Sequence, residues 1–598
     1  MKVYKYLLGI LLIPAALMTS CVDANTLEVL NESDTFRNIA DAKNSVKGLY
    51  GKVMDLAEQT VVLNELRADL MDVTTNADQD LQDISYFTSD ASNPYANTVP
   101  YYSVIQNCND ILHHFNQMKE NHLFTDDEYN ELYSDVMTVR CWTYFQLGTI
   151  FGKIPYLTEP ISSLADLKIP ASSYLDLDHL IPKLITAMET MPTLEQYTSA
   201  SGMNSTFNTH NLVNYFINKR CFLAELYLWD NRYYDAAKTI RDFHRLVETN
   251  SVKYKNYSWV YQGSFVGSFA ITYTRYLGND VSSLVNLWSL MFSYPMENTY
   301  ATNEHITCMT FDKSFEPTYP FVRLFGDEGA GKYLLKPSQN VIDNFWGTQV
   351  QSNGYVFDGR GLGGSYRLNA SGQPVITKYL TDYVPSKPYE VSGRWYIYRS
   401  GTLNLEYAEA CNRYAELGGY ENGDTLKPKS AYRRLTRAFM NSGIPGGEFS
   451  FAKPDATTYP GDSIAMSGWT GGRYFPEPFD FDGRMTDVPY NRGPWRSSTG
   501  IRNRASLVNT VYNPATTTLS EARFWEKSIL DEMALESAFE GHRWTDILRI
   551  AKRWNKEEAG TGTQLLNTLI GAKFAKNGKP APTFLDDESN WYLPAKFE

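Results

Sequence analysis

Cysteine is scarce in this sequence, and its placement gives no indication of a metal cluster. The chain has 598 residues and only six cysteines, with no CxxC pair and no spacing typical of a zinc site. They are Cys21, Cys108, Cys141, Cys221, Cys308 and Cys411. Cys108, Cys141, Cys221 and Cys411 lie in apolar stretches that look helical, where we expect buried thiols that act as small hydrophobic side chains.

The sequence also lacks an excess of basic charge. It has 55 Lys and Arg against 68 Asp and Glu, which gives a net charge of −13 at pH 7. A chain of this charge repels phosphate backbones, so nucleic-acid binding is disfavoured. With 43% hydrophobic residues and no long charge blocks, the composition is that of a folded globular protein rather than of a disordered or collagen-like chain.

Long apolar runs are missing except at the N-terminus. Residues 7–17 are apolar, follow Lys2 and Lys5, and precede small residues and Cys21, as in an export signal. The run is too short to cross a bilayer as a helix of about 20 residues, and Pro14 interrupts it. No second run follows, so we expect residues 1–20 to be removed and the mature chain not to span a membrane.

Cys21 resembles the modified cysteine of a bacterial lipobox, although Met18 stands where leucine is commoner. In that interpretation Cys21 becomes the N-terminus and carries acyl chains, each buried methylene of which contributes about 0.8 kcal/mol to membrane binding. The alternative is ordinary cleavage near Ser20 that leaves Cys21 as a free thiol. With Cys21 acylated, five cysteines remain, an odd number that cannot pair completely.

Helical periodicity recurs in pairs of segments, which predicts stacked helical hairpins. Apolar residues repeat every three or four positions at 101–118 and 128–151, at 212–229 and 233–247, and at 399–419 and 429–443. The pair at 212–247 is similar to tetratricopeptide units, whose period is about 34 residues. Gly152 and Pro155 should end the helix before them. Glu406, Glu409 and Glu416 should lie on the wetter face of their helix.

Between these pairs lie long segments rich in Gly, Pro, Ser, Asn and aromatic residues, at 254–331, 347–394 and 445–514. We predict long loops with short strands, and loops of this length in an ordered protein usually carry function. The chain also contains 12 Trp, 42 Tyr and 30 Phe. Tyrosine combines an apolar ring with a polar hydroxyl, so many of these residues should lie at wet surfaces.

Two glycine-rich motifs do not fit the nucleotide sites that they resemble. GRGLGG at 359–364 matches GxGxxG, but a polar, turn-rich segment follows it instead of a helix, so we expect a turn. GDEGAGKY at 326–333 places Tyr333 where a P-loop needs Ser or Thr, and its two acidic residues would repel phosphate. No cofactor is predicted. A structural calcium ion stays an open alternative, although no EF-hand loop is present.

The segment 522–554 near the C-terminus is predicted to be a long amphipathic stretch. Glu540 with Arg543, and Arg543 with Asp546, are spaced three residues apart, which puts opposite charges side by side on a helix. We interpret these charges as a lattice that supports packing rather than as catalytic groups, because charged helix faces are commonplace.

The same segment closely resembles the signature of the RagB/SusD family, E-x-A-F-E-G-x-R-W-x-D-x-x-R. The matching residues are Glu536, Ala538, Phe539, Glu540, Gly541, Arg543, Trp544, Asp546 and Arg549. Other passages that look like the family lie at 45–53, 108–115, 140–160, 219–237, 337–345, 403–413 and 591–598. The resemblance therefore spans nearly the whole mature chain, although the chain stops soon after the YLP at 592–594, where the family usually continues.

This resemblance implies a mainly α fold, a tetratricopeptide-like hairpin scaffold with loop-rich, partly β insertions. It implies an N-terminal helical region at 21–250 and a C-terminal region at 251–598 that carries the ligand face. It further implies a lipid-anchored protein of the outer membrane, facing the cell exterior. Such a protein would capture a glycan without catalysis and deliver it to a TonB-dependent, SusC-like transporter.

Exposed Trp and Tyr rings suit sugars, which present flat apolar C–H faces rimmed by hydroxyls. We predict that Trp259, Tyr261, Trp288 or Tyr95 supplies such a platform, while any one of them could instead pack under a loop. Three alternatives stay open: capture of peptides on the same scaffold, an exported hydrolase, and a purely structural surface subunit. The sequence does not identify the sugar, because the selecting contacts lie in loops.

Overall fold

The fold is mainly α-helical, as predicted, in the part of the chain that the computed structural model describes. That part comprises residues 36–161, 163, 168–198, 201–203, 205–207, 210–249, 281–292, 304–417, 429–441, 478–479 and 500–597. Its helices are α1 (Ile39–Met54), α2 (Ala57–Glu65), α3 (Gln79–Tyr86), α4 (Val99–Glu120), α5 (Asp126–Phe151), α6 (Leu177–Thr190), α7 (Lys219–Trp229), α8 (Tyr233–Thr249), α9 (Val281–Leu290), α10 (Phe321–Phe325), α11 (Ser400–Glu416), α12 (Lys429–Met440), α13 (Ile501–Arg504), α14 (Glu521–Ser537), α15 (Arg543–Glu557) and α16 (Thr561–Lys576). Within these ranges, no helix combines the length and the apolar character that crossing a bilayer requires.

The predicted hairpins form, since α4 packs on α5, α7 on α8, and α11 on α12. Helix α5 is the central element, and every side chain from Ser134 to Phe151 is buried. It begins with a capping box between Thr125 and Glu128, and it ends at Gly152, as predicted. The pair at 212–247 differs in one respect: α7 begins only at Lys219, because a short 3-10 turn occupies the preceding residues.

Short antiparallel strands join segments that are distant in sequence. They are β1 (Met71–Val73), β2 (Ile154–Pro155), β3 (Tyr174–Leu175), β4 (Thr206–Phe207), β5 (His210–Asn211), β6 (His305–Phe311), β7 (Leu335–Pro337), β8 (Tyr366–Leu368), β9 (Pro374–Ile376) and β10 (Gly393–Arg399). Strands β6 and β10 pair with Gly393 opposite Phe311 and are buried throughout. Strand β1 pairs with β7, so segments on both sides of residue 250 share a sheet. The division of the chain at that residue stays a prediction about sequence regions.

The cysteines behave as the sequence predicts. Cys108, Cys141, Cys221 and Cys411 are free and buried, and Cys308 joins them. Burial raises the pKa of the Cys141 thiol to about 12, so it stays protonated at neutral pH. These thiols are therefore small hydrophobic side chains of the core.

The C-terminal stretch 522–554 is two helices and not one, which corrects the sequence expectation. Helix α14 ends at Ser537 and α15 begins at Arg543. In the turn between them Phe539 has φ 74° and Gly541 has φ 93°. A helix cannot continue through left-handed residues, so the predicted pairing of charges along a single helix does not form here.

This turn wraps its backbone around the carboxylate of Glu65, the last residue of α2. Glu65 accepts hydrogen bonds of 2.8 to 3.4 Å from four backbone N–H groups, those of Phe539, Gly541, His542 and Arg543. Left-handed turns bring successive N–H groups together to form such anion-binding concavities. Burial raises the pKa of Glu65 to about 7, while the four donors act to lower it.

The charges of the signature form a buried lattice, as predicted, but their partners come from other parts of the chain. Glu540 bonds to Arg399 and to Lys378, each at 2.6 Å. Arg543 forms a bidentate pair with Asp69, at 2.7 and 2.9 Å. All five side chains are buried. The lattice therefore joins α15 and the turn before it to Asp69 after α2, to Lys378 after β9 and to Arg399 at the end of β10.

Helix α11 contradicts the prediction for Glu406 and Glu409, whereas Glu416 is exposed as predicted. Glu409 is fully buried and Glu406 is 8% exposed, so neither lies on a wet face. Glu409 bonds to Arg549 and Arg553, each at 2.7 Å. Burial alone would raise the pKa of Glu409, but these two guanidinium groups lower it to about 2. Asp546 pairs with Arg549 at 2.8 Å, and not with Arg543.

Candidate functional site

Three of the predicted site residues lie outside the described residues. Cys21 precedes the first described residue, and Trp259 and Tyr261 fall within 251–280. Their roles stay predictions. Trp288 and Tyr95 are described, and the structure places them in very different surroundings.

Trp288, on α9, is part of the core, which corrects the sequence expectation for this residue. Its side chain has 0% exposure, and its indole N–H donates to the Ser365 hydroxyl at 3.1 Å. The ring packs against Phe292 with centroids 5.3 Å apart, and the cations of Lys378 and Arg399 lie 5.3 and 5.7 Å from its centroid. A ring with no exposed face cannot stack on a ligand. Trp288 instead covers the buried charge lattice.

Tyr95 lies half-buried at the surface, in a 3-10 turn at Pro94–Ala96. The Asn93 side chain accepts a hydrogen bond from the Tyr95 N–H at 2.9 Å and so begins the turn. The Gln59 side-chain amide, on α2, donates to the carbonyls of Tyr95 and Asn97, each at 2.6 Å. The backbone that carries the Tyr95 ring is thus fixed to a core helix before any ligand arrives.

Two opposite charges flank the Tyr95 side chain. Glu58 and Arg323 form an ion pair although they are 265 positions apart in sequence. Burial raises the pKa of Glu58, and the charge of Arg323, followed by hydrogen bonds from Arg323 and Tyr95, opposes that shift. Burial likewise raises the pKa of Tyr95, so its hydroxyl is protonated at neutral pH and can donate. The three groups form a fixed donor and acceptor set beside an aromatic ring.

Other exposed side chains lie on the loop after β6 and in the segment before β10. Phe315 is 48% exposed, and its neighbour Glu316 contributes to raising the pKa of Asp55, after the larger effect of burial. Further along, Lys313 and Glu390 pair at 2.6 Å beside Tyr389, which is 94% exposed. We call Glu58, Tyr95 and Arg323 the Tyr95 surface.

Sequence reasoning found Tyr95 but missed the rest of the Tyr95 surface. Glu58 and Arg323 follow no motif, and only the packing of α2 against the segment around α10 brings them together. A weak signal existed for Phe315 and Tyr389, because both lie within predicted loop-rich segments.

A buried pair of carboxyl groups lies elsewhere, between α7, α11 and β10. Glu225 accepts a hydrogen bond from the Tyr398 hydroxyl at 2.6 Å, and burial raises its pKa to about 7. Burial, and then the charge of Glu225, raise the pKa of Glu406 well above its usual range. Glycosidases use carboxyl pairs that flank an open cleft. Each residue of this pair is only 8% exposed, so the pair belongs to the core.

This pair predicts how stability depends on pH. The folded chain keeps protons on Glu225 and Glu406 that the unfolded chain releases, so the free energy of unfolding should fall as pH rises from about 5 to about 8. Glu406→Gln removes one of these protonation sites and should make the fall less steep. Urea unfolding at several pH values measures how the free energy of unfolding changes with pH. The exposed change Glu120→Gln is the control, and identical slopes for all three proteins would contradict the prediction.

The glycine-rich motifs form loops, as predicted. In GRGLGG the Gly361 N–H donates to the Asp358 carbonyl at 3.0 Å, and the motif leads into strand β8 rather than a helix. The segment 326–333 leads into strand β7, so a P-loop helix does not follow it. Across the described ranges, no group of three or more His, Cys, Asp or Glu side chains is arranged to hold a metal ion.

Two family models match the chain, one near each end. Residues 26–199 match a SusD-like model described as "Starch-binding associating with outer membrane". Residues 499–595 match the SusD/RagB model, described as "SusD family", and include the whole signature. No curated protein sequence matches the chain.

Solved structures share the fold. A SusD superfamily protein from Bacteroides vulgatus aligns with a TM-score of 0.53 and 16% identity, over 94% of this chain and 97% of that one. Surface glycan-binding protein A from Bacteroides uniformis aligns with a TM-score of 0.52 and 14% identity, over 93% of each chain. A laminarin-binding SusD-like protein aligns with a TM-score of 0.50 and 14% identity, over 93% of this chain and 96% of that one. The helical hairpins, the signature turn and both family models agree: residues 26–199 and 499–595 match SusD/RagB family models, and the chain has the fold of SusD superfamily structures.

Proposed function

We propose that this chain captures glycans at the surface of the outer membrane, leaves them chemically unchanged, and delivers them to a TonB-dependent, SusC-like transporter. The observation that carries the proposal is the Tyr95 surface, whose central ring lies within the part of the chain matched by a starch-binding family model. Two proteins of similar fold are named for laminarin binding and for surface glycan binding, which supports the same ligand class.

The chemistry of the Tyr95 surface suits sugars. An aromatic ring attracts the apolar C–H face of a pyranose, while polar groups at its edge exchange hydrogen bonds with the hydroxyls. Tyr95 offers the ring, and Glu58 and Arg323 offer an acceptor and a donor beside it. Because Gln59 and Asn93 hold the turn, little conformational freedom is lost on binding.

Anchoring completes the proposal. Acylation of Cys21 would tether the chain to the outer membrane. Growth of the native organism with radiolabelled palmitate, followed by isolation of the protein, tests the anchor. A Cys21→Ala variant that still carries label would contradict it.

Tyr95→Ala should weaken binding to a cognate polysaccharide by about tenfold, because it removes both the stacking ring and its hydroxyl. Affinity electrophoresis in gels containing starch, laminarin, xylan or galactomannan measures this loss. Tyr355→Ala is the matched control, since Tyr355 is 61% exposed but lies outside the Tyr95 surface. The control should bind as the unchanged protein does.

The other outcomes discriminate between functions. Retention of casein peptides with no retention of any polysaccharide would replace glycan capture with peptide capture. Release of reducing ends from a bound polysaccharide by the purified protein would make it a hydrolase. Equal binding by Tyr95→Ala and by the unchanged protein would show that the Tyr95 surface is not the glycan-binding site.

A further inference from the structure

A cavity lies where the C-terminal segment crosses the end of α5. It has a volume of about 610 Å³, and its lining includes Phe87, Phe584, Tyr592, Lys153, Ser589 and Asn590. We call it the C-terminal pocket. The Leu593 N–H donates to the Ile150 carbonyl at 2.9 Å, which fixes one wall to the central helix. The volume falls within the range of about 300 to 1,000 Å³ that is usual for small-ligand sites.

The aromatic walls of the C-terminal pocket are held in place by the fold. Phe87 packs between Trp544 and Phe584, with ring centroids 5.6 and 5.5 Å away. Phe584 itself stays 38% exposed. The Tyr592 ring lies so close to Gly152 that a Cβ there would come within 2.7 Å of it, and Gly152 also has φ 77°. The rings are therefore positioned before a ligand binds.

The polar groups of the pocket can exchange hydrogen bonds with hydroxyl groups. Asn590 donates to the Phe584 carbonyl at 2.8 Å, and its amide oxygen has no partner among the described residues. Lys153 is exposed and forms no ion pair within the described part of the chain. Among the described residues that line the pocket, none is acidic. Amide, hydroxyl and ammonium groups beside aromatic walls match a hydroxyl-rich molecule with apolar faces.

We infer that the C-terminal pocket is a second glycan site on this chain, an inference that rests on the proposed function. The loop at 88–98 links it to the Tyr95 surface, since Ser89 lines the pocket and Tyr95 follows in the same loop. The Thr98 hydroxyl also donates to the Lys596 carbonyl at 2.9 Å, which ties that loop to the C-terminal segment. A glycan chain that reaches both sites binds the second with a raised effective concentration.

Phe584→Ala should weaken binding of the full-length protein to its cognate polysaccharide by about twofold to tenfold, the range expected for one stacking ring. Ser89→Trp, which fills the pocket without removing a wall, should act in the same direction. Leu123→Ala is the control, because Leu123 is 40% exposed at the turn between α4 and α5. The probes are the four polysaccharides above, and thermal unfolding checks that each variant is folded.

The outcomes separate this inference from the proposed function. A double variant with Tyr95→Ala and Phe584→Ala should lose the product of the two single losses, because separate sites contribute independently. If Tyr95→Ala weakens binding while folded Phe584→Ala and Ser89→Trp bind normally, the second site is wrong and the proposed function stands. If the unchanged protein retains none of the polysaccharides, the proposed function fails and the second site with it.

Discussion

Arg399→Met should lower the free energy of unfolding by about 3 to 5 kcal/mol, the cost typical of breaking a buried ion pair from one side. Arg399 bonds to Glu304 at 2.8 Å and to Glu540 at 2.6 Å, and it donates to the Glu536 carbonyl at 2.8 Å. All of these side chains are buried. Without the guanidinium, carboxylates face one another in a medium of low dielectric constant. Urea unfolding followed by tryptophan fluorescence measures the loss.

Lys313→Met is the matched control for this prediction. Lys313 pairs with Glu390 at 2.6 Å, but both side chains are nearly half exposed, and such pairs contribute at most about 1 kcal/mol. A loss for Arg399→Met no larger than that for Lys313→Met would show that the lattice around the signature does not stabilise the fold.

Trp288→Ala should lower the free energy of unfolding by about 3 to 5 kcal/mol, as expected when a large core ring is removed. The ring is fully buried, and its loss would open a cavity next to Phe292 and to the cations of Lys378 and Arg399. The cations of Lys378 and Arg399 would also lose their contact with the Trp288 ring. The same urea experiment measures this change.

Tyr389→Ala is the control for an aromatic residue at the surface. Tyr389 is 94% exposed, so its removal should change stability by no more than about 0.5 kcal/mol. If Trp288→Ala kept full stability but lost glycan binding, Trp288 would be a residue of the ligand site, and the burial argument would be wrong.

The helical scaffold was predictable because its signal is local. The three- and four-residue spacing of apolar side chains predicted α4, α5 and α8 nearly to their ends, and Gly152 marked the end of α5 as expected. The burial of the cysteines followed from the same apolar stretches. Each of these features depends on neighbours within a few turns of the same helix.

The charges were not predictable in this way. A glutamate in a helical pattern usually indicates a wet face, yet Glu409 is fully buried because Arg549 and Arg553 approach it from another helix. Likewise, the spacing of Glu540 and Arg543 indicated a helical pair, whereas two left-handed residues end the helix there. Whether a charge is buried depends on a partner that lies far away in sequence.

By itself, the sequence determined the helical hairpins, the apolar core and the family signature, because periodicity and motif are properties of adjacent residues. Only the tertiary structure decided that Trp288 is core, that Glu58 and Arg323 meet beside Tyr95, and that the chain end closes a pocket on α5. Contacts between distant segments depend on how helices pack. No local pattern encodes that geometry, so surfaces built from several segments appear only once the chain is folded.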